Sequence, residues 1–120
     1  MVDLDDAQFL EQYQRAVAAA NQASATEPRA IAASYDVVNH LIMIRLNSGA
    51  VFSFSPDIAQ GLAGASAESL AAVEITPSGE GLHWKRLDAD FSVSGLLGGC
   101  FGTKAWMAKL QEQWASQQAS

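Results

Sequence analysis

A predicted β-hairpin limits the fold of this chain more than any other feature of its sequence. Residues 41–46 (Leu-Ile-Met-Ile-Arg-Leu) place apolar side chains at alternate positions, and residues 50–54 do the same with Phe52 and Phe54. Between them, residues 47–49 are Asn-Ser-Gly, in which Asn begins a turn and Gly accepts a positive φ. Apolar residues on both faces of the first strand predict that both faces are covered.

The rest of the sequence predicts further short strands with helices around them. A strand at 30–35 would place Ile31, Ala33 and Tyr35 on one face. A helix over 4–22 begins with acidic residues, which complement the positive end of a helix dipole. These elements predict an α+β fold, a small and mostly antiparallel sheet with an N-terminal helix, short connecting helices and a C-terminal helix. The other predicted strands are 73–76, 82–84 and 89–91, a short helix is predicted over 92–97, and the predicted helix-capping residues are Ser55, Ser66 and Thr103.

The charge and the cysteine content of the chain indicate which cellular compartment and which binding partners to expect. The chain has 120 residues, 13 acidic and 7 basic, with a net charge of −6. The basic residues are scattered, so we expect no nucleic acid partner. A basic protein is electrostatically more favourable than DNA as a partner. Cys100 is the single cysteine, and no apolar segment approaches the roughly 20 residues that span a membrane. Since the N-terminus has no signal-peptide pattern either, we expect a cytoplasmic protein.

Residues 81–90 bring together the side chains that are most able to take part in catalysis or binding. His83 can move protons near neutral pH, with Asp88 or Asp90 orienting its ring, as in a hydrolase or isomerase. The alternative is that Trp84 fills the core and the polar residues form turn and cap hydrogen bonds. No familiar zinc or calcium spacing is present, and no nucleophile or oxyanion hole is visible nearby. We therefore predict no metal site, no cofactor and no enzymatic activity.

The glycine-rich segment 98–104 (Gly-Gly-Cys-Phe-Gly-Thr-Lys) has two interpretations. Glycines that lead into a helix can expose backbone amides to a phosphate. However, Thr103 precedes Lys104, which reverses the order of a P-loop, and the first glycine of a dinucleotide-binding pattern is missing. We therefore predict a tight turn between two helices, with Cys100 as a buried, unreactive thiol.

Several motifs in the second half of the chain are similar to those of a known family. They are Phe-Ser-Phe-Ser-Pro at 52–56, Ala-Gln-Gly-Leu at 59–62, Gly-Leu-His-Trp at 81–84, Leu-Asp-Ala-Asp at 87–90, and the segments 93–99 and 101–107. The family they resemble is domain of unknown function 2442, an uncharacterised bacterial family. Its members usually carry proline where this chain has Lys85, a departure that affects local rigidity.

The resemblance covers most of the chain, and we predict one domain over residues 1–120. Within it, 1–26 is a helical extension, 27–109 is the family-like core, and 110–120 is the end of the C-terminal helix with a tail. The resemblance implies a compact α+β fold and no known catalytic residues. It also implies that the gene often lies beside that of another small protein, in an arrangement like a toxin–antitoxin pair.

Two functions remain open at this point. The leading prediction is a non-enzymatic, antitoxin-like protein-interaction module that binds the neighbouring gene's product. The alternative is a small-molecule-binding domain with an aromatic-lined pocket near Trp84 and with His83 at its rim. The candidate ligand- or partner-binding residues are Phe52, Phe54, His83, Trp84, Lys85, Arg86, Asp88, Asp90 and Trp106.

The C-terminal helix predicts self-association as a homodimer. Trp106 and Trp114 widen and extend its apolar stripe, and Trp114 lies only six residues before Ser120, where little of the domain remains to bury it. An indole left exposed there favours a two-fold partner that presents the same surface, so Trp114 is the candidate dimer contact. The alternative is that the N-terminal helix packs over Trp114 and completes a monomeric core.

Overall fold

The computed structural model describes residues 10–15 and 27–119 of the chain. Residues 10–15 are helical, and the remainder of the helix predicted over 4–22 lies outside the described residues. The elements that follow are β1 (Ala30–Asp36), β2 (Leu41–Leu46), β3 (Val51–Phe54), a 3-10 turn (Pro56–Ile58), α1 (Ala67–Ala71), β4 (Val73–Ile75), β5 (Gly81–Trp84), a second 3-10 turn (Lys85–Leu87), β6 (Ala89–Ser92), α2 (Val93–Leu97) and α3 (Lys104–Ala119). These elements confirm the predicted α+β class.

The strands are divided between two antiparallel sheets of three strands each. The first has the order β1-β2-β3 and the second β4-β5-β6. The sheets join where the amide of Ala30, at the start of β1, donates to the carbonyl of Gly79 over 2.8 Å. Gly79 has φ 77°, and a Cβ there would lie 2.9 Å from the Ala30 carbonyl oxygen. Only glycine fits this junction without displacing the backbone of β1.

Strand β1 contains a β-bulge that the sequence pattern did not reveal. Ala30 lies opposite Leu46, whereas Ala32 lies opposite Arg45, so the register shifts by one residue between them. Ile31 is consequently 59 % exposed, while Ala33 and Tyr35 are partly buried against the core. The prediction that Ile31 shares a face with Ala33 and Tyr35 is wrong, because the extra residue reverses the alternation of the strand.

The core lies between the inner faces of the two sheets and the short helices. Trp84 is fully buried, and its indole N–H donates to the carbonyl of Leu70 in α1 over 3.1 Å. Serine caps begin the short helical segments at positions 55, 66 and 92, because each hydroxyl accepts a backbone amide of the first turn. The sequence predicts the first two of these caps. The largest fully buried side chains besides Trp84 are Ile42, Ile44, Leu62, Leu70, Leu82, Leu96 and Val93.

The first turns of the C-terminal helix attach it to the core. The hydroxyl of Thr103 accepts the amide of Trp106 over 3.2 Å, and the Trp106 indole N–H donates to the carbonyl of Ile58 over 2.8 Å. Beyond Leu110, every described side chain of α3 is exposed, and Trp114 is 64 % exposed. The helix therefore carries an indole on a surface that the core leaves uncovered.

Candidate functional site

The outer edge of the second sheet is formed by β6. The amide of Val93 donates to the carbonyl of Glu80, and the backbone of Gly81 bonds instead to Thr76. In an antiparallel ladder the bonded pairs alternate, so the amide and carbonyl of Asp90 and the amide of Ser92 point away from β5. The Ser92 carbonyl is used by α2, because Ser92 is the N-cap of that helix. Among the described residues, no strand pairs with β6 on this side.

An open groove of about 540 Å³ follows this edge, and we call it the β6 groove. Residues from both faces of β6 line it, and none comes from β5, which places it along the edge of the sheet. Three of its lining positions are glycine. The groove is lined by residues 88–92, by Gln60 and Gly61, by Gly95 of α2, and by Cys100, Gly102 and Thr103.

A second hollow of about 480 Å³ lies beside the same strand. Asp90, Phe91 and Ser92 border both spaces. The second hollow adds residues from the turn between β4 and β5, including Ser78 and Glu80. The second hollow also includes Gly81 and Leu82 of β5, so it lies against the sheet, whereas the groove follows the free edge of β6.

The charge around β6 is negative. Asp88 and Asp90 line the groove, and no lysine or arginine lines the groove or the second hollow. Glu80, which lines the second hollow, forms an ion pair with Arg29. Asp90 also bonds His83, with 2.6 Å between its Oδ1 and the ring Nδ1. His83 lies directly opposite Glu74 in β4 and Asp90 in β6, so a row of three polar side chains crosses the outer face of the sheet. This face and the groove would attract a positively charged ligand.

The structure brings together some of the predicted site residues and separates others. His83 and Asp90 are in contact, as the acid–base hypothesis requires. Asp88 ends the second 3-10 turn with φ 49° and lies in the groove. Lys85 is exposed, and Arg86 pairs with Glu68 of α1 over 2.9 Å.

The aromatic candidates occupy the core and its margin. Trp84 is fully buried and Phe54 is 5 % exposed, with its ring 5.4 Å from that of Phe101. Phe52 is partly buried beside Phe54, and the Trp106 indole is tied to Ile58. None of these four aromatics lines the β6 groove. Their packing supports the core interpretation of Trp84, which leaves no open aromatic surface at that ring.

The environment of Cys100 differs from the prediction. The thiol is exposed at the groove, so the prediction of a buried thiol is wrong. The glycines on its N-terminal side turn the chain outward, with φ 86° at Gly99. The loop amide of Thr103 is already bonded by the side-chain oxygen of Gln60 over 2.9 Å. That bond favours the tight-turn interpretation of the loop over a phosphate site.

Sequence reasoning missed a second histidine network on the first sheet. The Tyr35 hydroxyl lies 2.6 Å from Nδ1 of His40, and His40 Nε2 lies 3.1 Å from a carboxylate oxygen of Asp57. His40 adopts φ 55° at the end of the β1–β2 turn, which aims its ring at both partners. Asp57 begins the turn after β3, so the network ties two loops together, and its spacing along the chain follows no known motif.

Two kinds of feature are absent from the part of the chain that the structure describes. Across residues 10–15 and 27–119, no group of three or more His, Cys, Asp and Glu side chains is placed to hold a metal ion. Within the same residues, no helix is both long and apolar enough to cross a membrane.

Comparisons with known proteins agree with the resemblance seen in the sequence. The family model described as "Protein of unknown function (DUF2442)" matches residues 31–102. A protein of unknown function from Rhodospirillum rubrum ATCC 11170 is 52 % identical with a TM-score of 0.66, and the match covers 68 % of this chain and 99 % of that one. The uncharacterised protein CV0863 from Chromobacterium violaceum is 34 % identical with a TM-score of 0.61, over 68 % of this chain and 74 % of that one. Comparison with curated proteins gives no match.

Proposed function

Because this chain belongs to the DUF2442 family, which is described as being of unknown function, we propose its role from its own surface: it is a protein-interaction module that docks a partner in the β6 groove. The observation that carries the proposal is an unpaired strand edge beside an open space with acidic borders. A strand edge of this kind is a template for another chain. The neighbouring gene's small protein, in an antitoxin-like pairing within the cytoplasm, is the first partner to test.

A binding role suits the groove better than a catalytic one. The His83–Asp90 pair has the geometry of an acid–base pair, but Asp90 is 71 % exposed and no described nucleophile bonds to the ring. Water therefore reaches the Asp90 carboxylate, whereas acid–base catalysis works best in a site that excludes water. The loop amide of Thr103 is satisfied within the fold, which leaves a preformed wall for a partner to contact.

The experiment measures binding of the neighbouring gene's product to the full chain by titration calorimetry. Asp90→Lys reverses one charge in the groove and should weaken the complex at least tenfold. Glu112→Lys makes the same charge change on the exposed part of α3 and should leave affinity within about twofold, as expected for a charge outside the interface. A complex that responds equally to both variants would place the interface elsewhere, and no complex at micromolar concentrations would refute the pairing.

A further inference from the structure

We infer that the partner contributes an extended segment with a lysine or arginine, which pairs with β6 as a fourth strand of the second sheet. This inference rests on the proposed function and specifies how the groove is used. Adding a strand to an open sheet edge is a recurrent mode of peptide recognition, in which backbone hydrogen bonds give affinity and side-chain pockets give specificity.

The backbone of β6 offers three groups for such pairing. The amide and carbonyl of Asp90 and the amide of Ser92 face the edge, and none makes a backbone hydrogen bond to another described element. A strand placed at the usual spacing of about 4.8 Å would bond both groups of Asp90 at once. The edge is short because α2 begins at Val93, so the inserted segment needs only a few extended residues.

The two open spaces match the alternation of an added strand. Successive side chains of a strand point to opposite faces of its sheet. The groove offers one space along the edge of β6, and the hollow, which Gly81 and Leu82 of β5 also line, offers another against the sheet; both border Asp90 and Ser92. A segment paired with β6 would direct one side chain towards the groove and the next towards the hollow. An exposed edge without such spaces would not accommodate side chains in this way.

The negative charge beside β6 favours a basic segment over the other possible occupants of the edge. Asp88 and Asp90 border the groove with no cation among the lining residues, whereas Glu80 at the hollow is already paired with Arg29. A second copy pairing edge to edge would bring two β6 strands, each with these carboxylates, against each other. The N-terminal segment of this chain carries Asp3 and Asp5, which the same field repels. A separate partner that brings lysine or arginine is favoured.

The test selects linear 12-residue peptides from a displayed random library against the full-length protein. The inference predicts enrichment of sequences rich in β-branched residues with at least one lysine or arginine, and depletion of Asp and Glu. Synthetic versions of the best peptides should bind with micromolar affinity, because only three backbone groups take part. Asp90→Lys should reduce affinity at least tenfold, Asp90→Asn should have a smaller effect in the same direction, and Glu112→Lys should change it less than twofold. Circular dichroism of each variant confirms that the fold is retained.

Backbone methylation separates strand pairing from simple charge attraction. N-methylation at a peptide position that bonds the Asp90 carbonyl should lower affinity about fivefold or more, while methylation at the adjacent, outward-facing position should not. A library that enriches no peptide, or peptides whose binding ignores every N-methyl substitution, overturns the inference. If calorimetry still finds a groove-dependent complex with the neighbouring gene's product, the proposed function stands and only the fourth strand fails.

Discussion

Replacing Trp84 with phenylalanine tests whether this residue is part of the core or the wall of a ligand pocket. The indole is fully buried and donates its N–H to the Leu70 carbonyl. Trp84→Phe removes the donor and leaves a buried acceptor, which costs about 1 kcal/mol. The smaller ring also loses buried apolar surface and leaves a void, which costs about 2 kcal/mol. We expect the free energy of unfolding to fall by about 3 kcal/mol.

Urea denaturation followed by far-UV circular dichroism measures this change. With an m-value of about 1.5 kcal/mol/M, the unfolding midpoint of Trp84→Phe should fall by about 2 M. The matched control is Trp114→Phe, measured at a protein concentration low enough to keep the chain monomeric, because Trp114 is 64 % exposed and the same substitution there should change stability by less than about 0.5 kcal/mol. Equal effects of the two substitutions would refute the core assignment of Trp84 and restore the aromatic pocket as a hypothesis.

Three further predictions concern the surface. The Asn39 side chain, together with nearby backbone amides, holds the pKa of the Asp36 carboxyl below its ordinary value. The turn that Asp36 stabilises is therefore intact at neutral pH and weakens as the pH falls through that lowered pKa. NMR titration of Asp36 checks the direction of the shift. Tyr35→Phe leaves His40 Nδ1 without its partner and should cost about 1 kcal/mol in urea, against almost nothing for Tyr13→Phe, whose ring is 61 % exposed. Sedimentation should detect a dimer that Trp114→Ala weakens, whereas a single 12.7 kDa species at high micromolar concentration would exclude self-association.

Local chemistry made part of this structure predictable. The bounds of β2 follow from its alternation and from the Asn-Ser-Gly turn, both of which act within a few residues. The serine caps at 55 and 66 are equally local, since each hydroxyl bonds an amide two or three residues away. Such features depend on no distant partner, so sequence reasoning found them.

Features that depend on distant partners were not predictable. The bulge that exposes Ile31 arises from the register between β1 and β2, which no local pattern encodes. The β6 groove requires knowing which strand ends the second sheet and that the loop carrying Cys100 lies beside it. The Tyr35–His40–Asp57 network joins residues separated by 22 positions, and the only local signal for it is an uncommon left-handed histidine. Of the site residues, sequence reasoning found His83, Asp88 and Asp90 but not the edge that gives them a role.

Chemical footprinting of Cys100 tests the central claim, that the β6 groove is the docking surface, most directly. The chain has a single cysteine, and its exposed thiol lines the groove. Its rate of alkylation is measured by mass spectrometry with and without the neighbouring gene's product. As a control, the double variant Cys100→Ser with Ser116→Cys moves the thiol to the exposed part of α3. The account predicts that the complex slows alkylation of Cys100 at least tenfold and leaves the thiol at position 116 unaffected. A complex in which Cys100 reacts as fast as in the isolated protein would contradict it.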